Sequence, residues 1–381
     1  MTDQYKEIRP YRPEEMQVAL NMIIESPQFP MVVEILKGLM TREEIIEKSN
    51  NISSVLDFQK TFCYPLLAAL EMQFTDGIST SGIENLENKA SLIMTNHRDI
   101  VMDSAYMNYQ FIKAGLDTAE IGIGNNLLVT KSIEAIVRLN KSFIVKRNLP
   151  GRELAKAFME LSGYIRHTIT EKKQSVWIAQ REGRAKDSND TTQESILKMF
   201  TLSGEGSMAE RMVDLHICPT TISYEYDSCD YLKVKEFQQK RDDENHTKSP
   251  QDDVLNMKEG IFGKKGRVHY AISPCISSQL EEIAANTTNR KAQAKAVAEL
   301  CNKQIFENYV IYPINKMAYD YLNGTSTYAH EISAEEKVFV DNYFEGQLKK
   351  IDLPNMDYDF CRHKLLEMYA NPLINHLAVS Q

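Results

Sequence analysis

The chain has 381 residues, of which 43% are hydrophobic and 25% are charged, and its formal net charge at pH 7 is −9. This composition is ordinary for a globular protein, and the length exceeds what one hydrophobic core usually serves. The negative charge argues against nucleic acid as the main partner, because no overall basic field would attract a polyphosphate. We therefore expect a main domain with appended elements, in which any anion site is local.

Residues 1–85 are predicted to form a helical N-terminal bundle. Apolar residues recur there at steps of three and four over residues 14–24, 31–40, 42–48 and 55–74, which is the spacing of one helix face. The polar start of the chain does not resemble a signal peptide. No apolar run approaches the roughly 20 residues that a membrane-spanning helix needs.

Residues 86–275 are predicted to form an α/β domain. Short β-rich runs at residues 91–94, 120–123, 142–145, 175–179, 217–226 and 267–272 alternate with helical runs. This alternation is typical of a mostly parallel sheet covered by helices. Catalytic residues in such folds lie in loops beyond the carboxyl ends of the strands, and His97 follows the run 91–94 directly.

The remaining segments are predicted to be helical or polar. Residues 238–265 are rich in charged and polar side chains, and we expect a surface excursion with some helix. Residues 276–381 carry helical patterns at 279–307, 309–322, 334–350 and 358–368 and form a helical C-terminal region. The six cysteines are scattered, without a Cys-X-X-Cys pair, which favours reduced thiols in a cytoplasmic protein over a zinc site or disulfides.

The first chemically informative cluster is residues 96–103, Asn-His-Arg-Asp-Ile-Val-Met-Asp. A histidine that leaves a buried strand, with a carboxylate one to two turns later, is how an oriented general base is built. We expect His97 to deprotonate a bound hydroxyl and Asp103 to hold its other ring nitrogen, with Asp99 as the rival partner. A surface histidine in a polar loop remains the alternative.

Two basic clusters follow at predicted strand ends. Lys146 and Arg147 close the run 142–145, and Arg-Glu-Gly-Arg-Ala-Lys occupies residues 181–186. In the second cluster, Gly183 permits a tight backbone and Arg184 can grip a phosphate with its planar fork. Glu182 can hold a cation in place. For both clusters the alternative is a solvated, self-paired charged turn.

Two other interpretations of short motifs in the sequence have less support. His-Arg-Asp also opens the catalytic loop of protein kinases, but that pattern requires Asn five residues after the aspartate, and position 104 is Ser. Gly122-Ile-Gly124 resembles the start of a dinucleotide fingerprint but lacks the third glycine.

Together these blocks resemble the glycerol-3-phosphate and 1-acylglycerol-3-phosphate acyltransferase superfamily. The family's first motif, Asn/Ser-His-x-x-x-x-Asp, is similar to Asn96-His97 followed by Asp103. Its second block is similar to residues 124–127 and 138–147, its third to Glu182-Gly183-Arg184, and its fourth, an apolar strand with a central proline, to residues 217–222. The resemblance covers roughly residues 90–275 and implies a glycerol-3-phosphate acyltransferase-like fold.

The sequence departs from the family pattern at two points. Five residues, instead of four, separate His97 from Asp103, and the residue that usually stands between Gly183 and Arg184 is missing. These departures indicate a divergent, bacterial-type branch. They also motivate a different function, a non-catalytic module that binds lipid or phosphorylated ligands and kept the fold.

The resemblance implies transfer of a fatty acyl group from acyl-CoA or acyl carrier protein, as co-substrate, to a hydroxyl of glycerol-3-phosphate, lysophosphatidate or a related lipid precursor. It implies that His97 is the base and that the acceptor phosphate is bound by cationic side chains, for which the candidates are Arg98, Lys146, Arg147, Arg184 and Lys186. No metal or other cofactor is required. Because the product is a lipid, we expect peripheral attachment to the inner face of the membrane, through the N-terminal helices or residues 238–265. Phosphoester hydrolysis is less favoured, because neither a metal-carboxylate cluster nor a covalent nucleophile stands beside His97.

Overall fold

The computed structural model describes residues 3–87 and 89–380. Residues 1 and 2 of the predicted N-terminal bundle and residue 381 of the C-terminal region therefore lie outside the described residues. The strands are β1 (Ile78–Ser81), β2 (Leu92–Thr95), β3 (Glu120–Gly124), β4 (Ser142–Val145), β5 (Val176–Ala179), β6 (Cys218–Tyr224) and β7 (Val268–Ile272). They form one seven-stranded sheet in the order β1-β7-β6-β2-β5-β3-β4.

Five neighbouring strands of this sheet run parallel. Strand β2 pairs with β5 and β6, and β3 pairs with β4 and β5, all in parallel register. Strand β7 is antiparallel to β6, and β1 is parallel to β7. The carboxyl ends of β6, β2, β5, β3 and β4 therefore meet at one edge of the sheet, with β2 near its centre.

Helices flank the sheet, and further helices precede the first strand and follow the last one. Before β4 lie α1 (Pro13–Ile24), α2 (Phe29–Ile35), α3 (Arg42–Ser49), α4 (Val55–Phe58), α5 (Tyr64–Phe74), α6 (Met102–Lys113) and α7 (Lys131–Leu139). After β4 lie α8 (Gly151–Thr170), α9 (Glu194–Phe200), α10 (Glu210–Val213), α11 (Asp230–Asp242), α12 (Pro250–Phe262), α13 (Ser277–Asn286), α14 (Arg290–Glu307), α15 (Pro313–Asn323), α16 (Ala334–Lys349) and α17 (Tyr358–Val379).

The two faces of the sheet pack against different helices, because successive side chains of a strand point to opposite sides. Leu92 on β2 joins a core with Leu161 and Ile165 of α8, whereas Ile93 joins a core with Tyr106 of α6 and Trp177 of β5. The predicted α/β class, a mostly parallel sheet covered by helices with helical additions at both ends, is confirmed.

Three local features differ from the sequence predictions. Ile78–Ser81, within the stretch predicted as helical, forms the edge strand β1, whose partner residues on β7 lie 190 positions later in the chain. The predicted helix 55–74 contains a π-helical turn, Gln59–Cys63, just before Pro65, which has no N–H to continue the helical ladder. The polar segment 238–265 is mostly helical, as the end of α11 and all of α12.

The N-terminal helices form their own apolar cluster, which α7 completes through Ala135 and Leu139. Arg138 strengthens this attachment, since its guanidinium donates hydrogen bonds to the backbone oxygens of Arg9, at 2.9 Å, and Lys6, at 2.7 Å. None of the described helices has both the length and the apolar character needed to cross a bilayer.

Candidate active site

The loop between β2 and α6 brings His97 and Asp103 into contact. Nδ1 of His97 lies 2.8 Å from Oδ2 of Asp103, and the imidazole ring packs edge-on against Trp177, with ring centroids 5.8 Å apart. The His97 side chain is 14% exposed and that of Asp103 only 1%. The ring is therefore held on one side by a buried carboxylate, while part of its surface stays open.

The carboxylate of Asp103 is fixed by further donors. Its Oδ2 atom accepts the backbone N–H of Arg98 at 2.7 Å and that of Asp99 at 3.1 Å, in addition to the histidine. The other oxygen, Oδ1, is buried without a hydrogen-bond partner among the described residues. Because three donors converge on this oxygen, the loop folds back on the first turn of α6. The five residues between His97 and Asp103 therefore do not prevent the contact of the two side chains.

Asp99, the rival partner of His97, has a different position. Its Oδ1 atom accepts the backbone N–H groups of Val101 and Met102, both at 2.8 Å, and so caps the start of α6. Burial, followed by the nearby charge of Asp103, raises the pKa of the Asp99 carboxyl. Asp103 is therefore the hydrogen-bond partner of His97, and Asp99 shapes the loop.

Asn96 anchors the loop to the neighbouring strand. Its side-chain amide donates to the backbone oxygen of Ile222 on β6 at 3.0 Å and accepts the N–H of the same residue at 2.7 Å. The fully buried side chain thus mimics a strand backbone for one residue beyond β2. This pairing sets the point at which His97 leaves the sheet.

Arg98, a predicted substrate-binding residue, forms a buried ion pair within the protein. Its Nη1 and Nη2 atoms lie 3.1 and 2.7 Å from the two carboxylate oxygens of Asp190. The Arg98 side chain is 5% exposed and that of Asp190 is fully buried. A bidentate buried pair of this kind is not released to bind a ligand without a large electrostatic cost. The structure therefore places Arg98 in the scaffold behind the loop.

The two cations that follow β4 lie at the same edge of the sheet but form weak surface pairs. Lys146 lies 3.1 Å from Glu160 of α8, and Arg147 lies 3.7 Å from Glu182, which follows β5. The exposed fractions are 33% for each cation and 68% for Glu182. Exposed ion pairs contribute about 0–1 kcal/mol, so either cation can exchange its partner for an anionic ligand at little cost.

The turn after β5 carries the third predicted cluster. Gly183 has a φ of 69°, a conformation that favours glycine. Nη2 of Arg184 donates to Oδ1 of Asn256 at 3.0 Å, whereas its Nη1 is buried without a partner among the described residues. Lys186 forms an ion pair with Glu236 of α11. The third cluster therefore faces α11 and α12.

These two helices are the part of the site that sequence reasoning missed. Nζ of Lys233, on α11, donates to the backbone oxygen of Arg98 at 3.0 Å. Gly260, on α12, packs directly against the Asp99 carboxyl group. The sequence did contain a local signal for the start of α12, since Ser249 and Asp252 form a capping box there. The position of the helix over the His97 loop depends on long-range packing, which no local pattern reveals.

The arrangement can support proton transfer to and from a hydroxyl near His97. The backbone N–H groups of residues 98, 99, 101 and 102 are already bonded to the Asp99 or Asp103 carboxylate, so they are not free to bind an oxyanion. Within residues 3–87 and 89–380, no three or more His, Cys, Asp or Glu side chains are grouped as metal ligands.

Comparisons with known proteins show a distant structural likeness. No protein-family model and no curated protein matches the chain. Among solved structures, the chain is similar to the 1-acyl-sn-glycerophosphate (LPA) acyltransferase PlsC from Thermotoga maritima, with a TM-score of 0.36 and 12% sequence identity. The similarity covers 75% of this chain and 98% of that one. A likeness this distant carries no argument about activity, which has to be inferred from the residues of this chain and their geometry.

Proposed function

We propose that this protein is an O-acyltransferase that moves a fatty acyl group from acyl-CoA or acyl carrier protein to a hydroxyl of glycerol-3-phosphate, lysophosphatidate or a related lipid precursor. The observation that carries the proposal is the 2.8 Å hydrogen bond between Nδ1 of His97 and Oδ2 of Asp103. It lies in the motif that resembles the acyltransferase superfamily, at the carboxyl ends of parallel strands, where α/β enzymes carry their catalytic groups.

The hydrogen bond supports the tautomer that catalysis needs. Because Nδ1 faces a carboxylate, it carries the proton, and the lone pair is left on Nε2. No hydrogen-bond partner of Nε2 occurs among the described residues. The buried carboxylate keeps the ring oriented and stabilises the imidazolium that forms when Nε2 accepts a proton.

The proposed reaction needs no covalent enzyme intermediate. Nε2 of His97 takes the proton of the acceptor hydroxyl as its oxygen attacks the thioester carbonyl. A C–O bond forms and a tetrahedral intermediate results. The C–S bond then breaks, and the thiolate leaves with the proton returned by the imidazolium. The products are the acyl ester and the free thiol carrier.

The acceptor phosphate would be bound by cations at the same edge of the sheet. Lys146 and Arg147 are suited to this role, because their present ion pairs are weak and partly exposed. Arg184 has a guanidinium nitrogen without an acceptor, and its planar fork matches a phosphate. Fixing the acceptor in line with the thioester would remove much of the entropic barrier.

A lipid product also requires access to a membrane surface, and we propose peripheral attachment to its inner face. Helices α1 and α2 expose apolar side chains, among them Val18 at 67%, Met31 at 48% and Ile35 at 42%. Helix α12 exposes Val254 at 56%. Sedimentation with anionic liposomes at low salt tests this part, and a protein that stays in the supernatant would refute it.

Acyl transfer itself is tested with labelled acyl-CoA and acyl carrier protein as donors. The acceptors are glycerol-3-phosphate, 1-acylglycerol-3-phosphate and a lysolipid without phosphate. We expect transfer to a phosphorylated acceptor, and a loss on the order of 10²–10⁴ in turnover for His97→Ala, the usual contribution of a general base.

His330→Ala is the matched control, because His330 is 77% exposed beside Glu331 and far from the sheet edge in sequence. It should retain full activity. Full activity of His97→Ala would eliminate the proposed mechanism. A folded wild type that transfers nothing but still binds the lipids would instead favour the non-catalytic binding module.

A further inference from the structure

Three lysine side chains converge on one carboxylate beside the proposed active site. Lys186 forms an ion pair with Glu236, and the Nζ atoms of Lys240 and Lys248 each lie 2.9 Å from a Glu236 oxygen. The Glu236 side chain is 6% exposed, so the carboxylate is the buried centre of the group. Lys186, Lys240 and Lys248 are called the lysine cluster below.

The lysine cluster carries more positive charge than its surroundings compensate. Within the cluster, three ammonium groups share the one carboxylate of Glu236. Asp252 of α12 adds a second carboxylate near Lys248. In a chain with a net charge of −9, a local excess of ammonium groups is suited to binding an anion, such as the phosphate monoester that is negatively charged near neutral pH.

A second, independent observation is a buried cationic nitrogen, close to Lys186 in sequence, that has no partner in the described part of the chain. Arg184, two residues before Lys186, has a buried Nη1 atom with no acceptor among the described residues. An unpaired buried donor is costly, and more so on a charged group. Burial lowers the pKa of Lys186 to about 8 in spite of Glu236, so the cluster is partly desolvated before any ligand arrives.

The lysine cluster lies close to the His97 loop. Lys233 of α11 contacts the backbone of Arg98, and Glu236 follows three residues later on the same helix, an axial rise of about 4.5 Å. On α12, Asn256 contacts Arg184 and Gly260 contacts Asp99. The helix that carries Lys240 and the helix that follows Lys248 therefore both contact the loop that holds His97.

We propose that the lysine cluster and Arg184 form a binding site for a phosphate monoester. The site itself is inferred from its geometry, whereas the identity of the phosphate-bearing ligand rests on the proposed function. The phosphate belongs either to the acceptor, glycerol-3-phosphate, or to the donor, as the 3′-phosphate of coenzyme A. Glu236 holds the three lysines together and would compete with the ligand for them.

Isothermal titration calorimetry of the full chain at fixed ionic strength tests this site without any need for turnover. The probe is inorganic phosphate, titrated into wild type, Lys240→Met and Lys248→Met. Each substitution should weaken binding about tenfold, because a hydrogen bond to a charged group is lost. Lys295→Met is the matched control, since Lys295 pairs with Glu299 at 3.6 Å on the distant helix α14, and it should bind as wild type does.

Glu236→Gln separates an anion site from a simple ion-pair network. Removal of the competing carboxylate should tighten phosphate binding if the lysines serve a ligand. Weaker or unchanged binding by a folded Glu236→Gln protein would overturn the proposal. So would wild-type binding that Lys240→Met and Lys248→Met leave intact, or the absence of any binding by wild type.

The source of the phosphate is identified by three further titrations, with glycerol-3-phosphate, coenzyme A and 3′-dephospho-coenzyme A. Cluster-dependent binding of glycerol-3-phosphate assigns the site to the acceptor. Cluster-dependent binding of coenzyme A, but not of its dephospho form, assigns it to the donor. Phosphate binding without acyl transfer would support the site and contradict the proposed function, and transfer without cluster-dependent binding would do the reverse.

Discussion

Gly260 packs against Asp99 so closely that no other residue fits there without movement. A Cβ atom at position 260 would lie 2.8 Å from Cγ of Asp99 and closer still to its Oδ2. Asp99 cannot easily yield, because its other oxygen caps the first turn of α6 through two backbone N–H groups. The contact links α12 to the loop that holds His97 and Asp103.

Gly260→Ala should therefore reduce acyl transfer at least tenfold. The new methyl group forces α12 or the Asp99 side chain to shift, and the loop that orients His97 shifts with it. The measurement is kcat and KM for both substrates, together with stability from urea unfolding. A fall in kcat larger than any change in stability explains would indicate a positioning role.

Gly346→Ala is the matched control for this substitution. Gly346 also lies inside a helix, α16, but a Cβ atom there meets nothing within 4 Å. Alanine should stabilise the protein by about 0.5–1 kcal/mol through helix propensity, with no change in activity. Equal behaviour of the two variants would show that the contact with Asp99 is unimportant.

The two aspartates of the loop should differ in their effect on catalysis. Asp103→Asn should lower kcat on the order of 10²–10⁴, because an amide neither stabilises the imidazolium nor enforces the tautomer. Asp99→Asn should cost less than tenfold, since Oδ1 can still cap α6. Measurement of kcat for both variants in parallel tests this difference. A greater loss of kcat in Asp99→Asn would indicate that Asp99, and not Asp103, is the functional partner of His97.

The ion pair of Arg98 with Asp190 should govern stability. Asp190→Asn leaves a buried guanidinium without its counterion, which we expect to cost about 3–5 kcal/mol. Lys303→Met breaks an exposed pair with Glu307 at 3.7 Å and should change stability by less than about 1 kcal/mol. Urea unfolding measures both. If Asp190→Asn unfolds like wild type and only raises KM, Arg98 is a ligand-binding residue after all.

The ionised carboxylate of Glu236 should stabilise the folded protein, and this stabilisation should be lost at acidic pH. Burial raises the pKa of its carboxyl, but hydrogen bonds from the three lysines outweigh burial and lower it from 4.5 to about 2. The stabilisation is therefore complete above pH 4.5 and is lost as the pH falls towards 2. The free energy of unfolding between pH 5 and pH 3 should decline less steeply for Glu236→Gln than for wild type. Identical slopes would show that Glu236 is not strongly paired.

The sequence alone determined the fold class and the place of the catalytic candidates. Alternation of β-rich and helical runs predicts an α/β domain, since periodicity reports which face of an element is buried. A histidine directly after a fully buried strand has to lie at the carboxyl edge of a parallel sheet. The edge strand β1 was missed, because a short strand with one apolar residue has no local signal and depends on a partner 190 residues away.

Which charged side chains are available to bind a ligand depends on contacts between distant parts of the chain. Arg98 and Arg184 look alike in the sequence, yet one is neutralised by buried Asp190 and the other keeps an unpaired nitrogen. The lysines of α11 and the segment before α12 join Lys186 through packing between distant parts of the chain. The charge pattern along a sequence shows where cations are, whereas the fold determines which anions reach them, because electrostatic pairing depends on distance and burial in space.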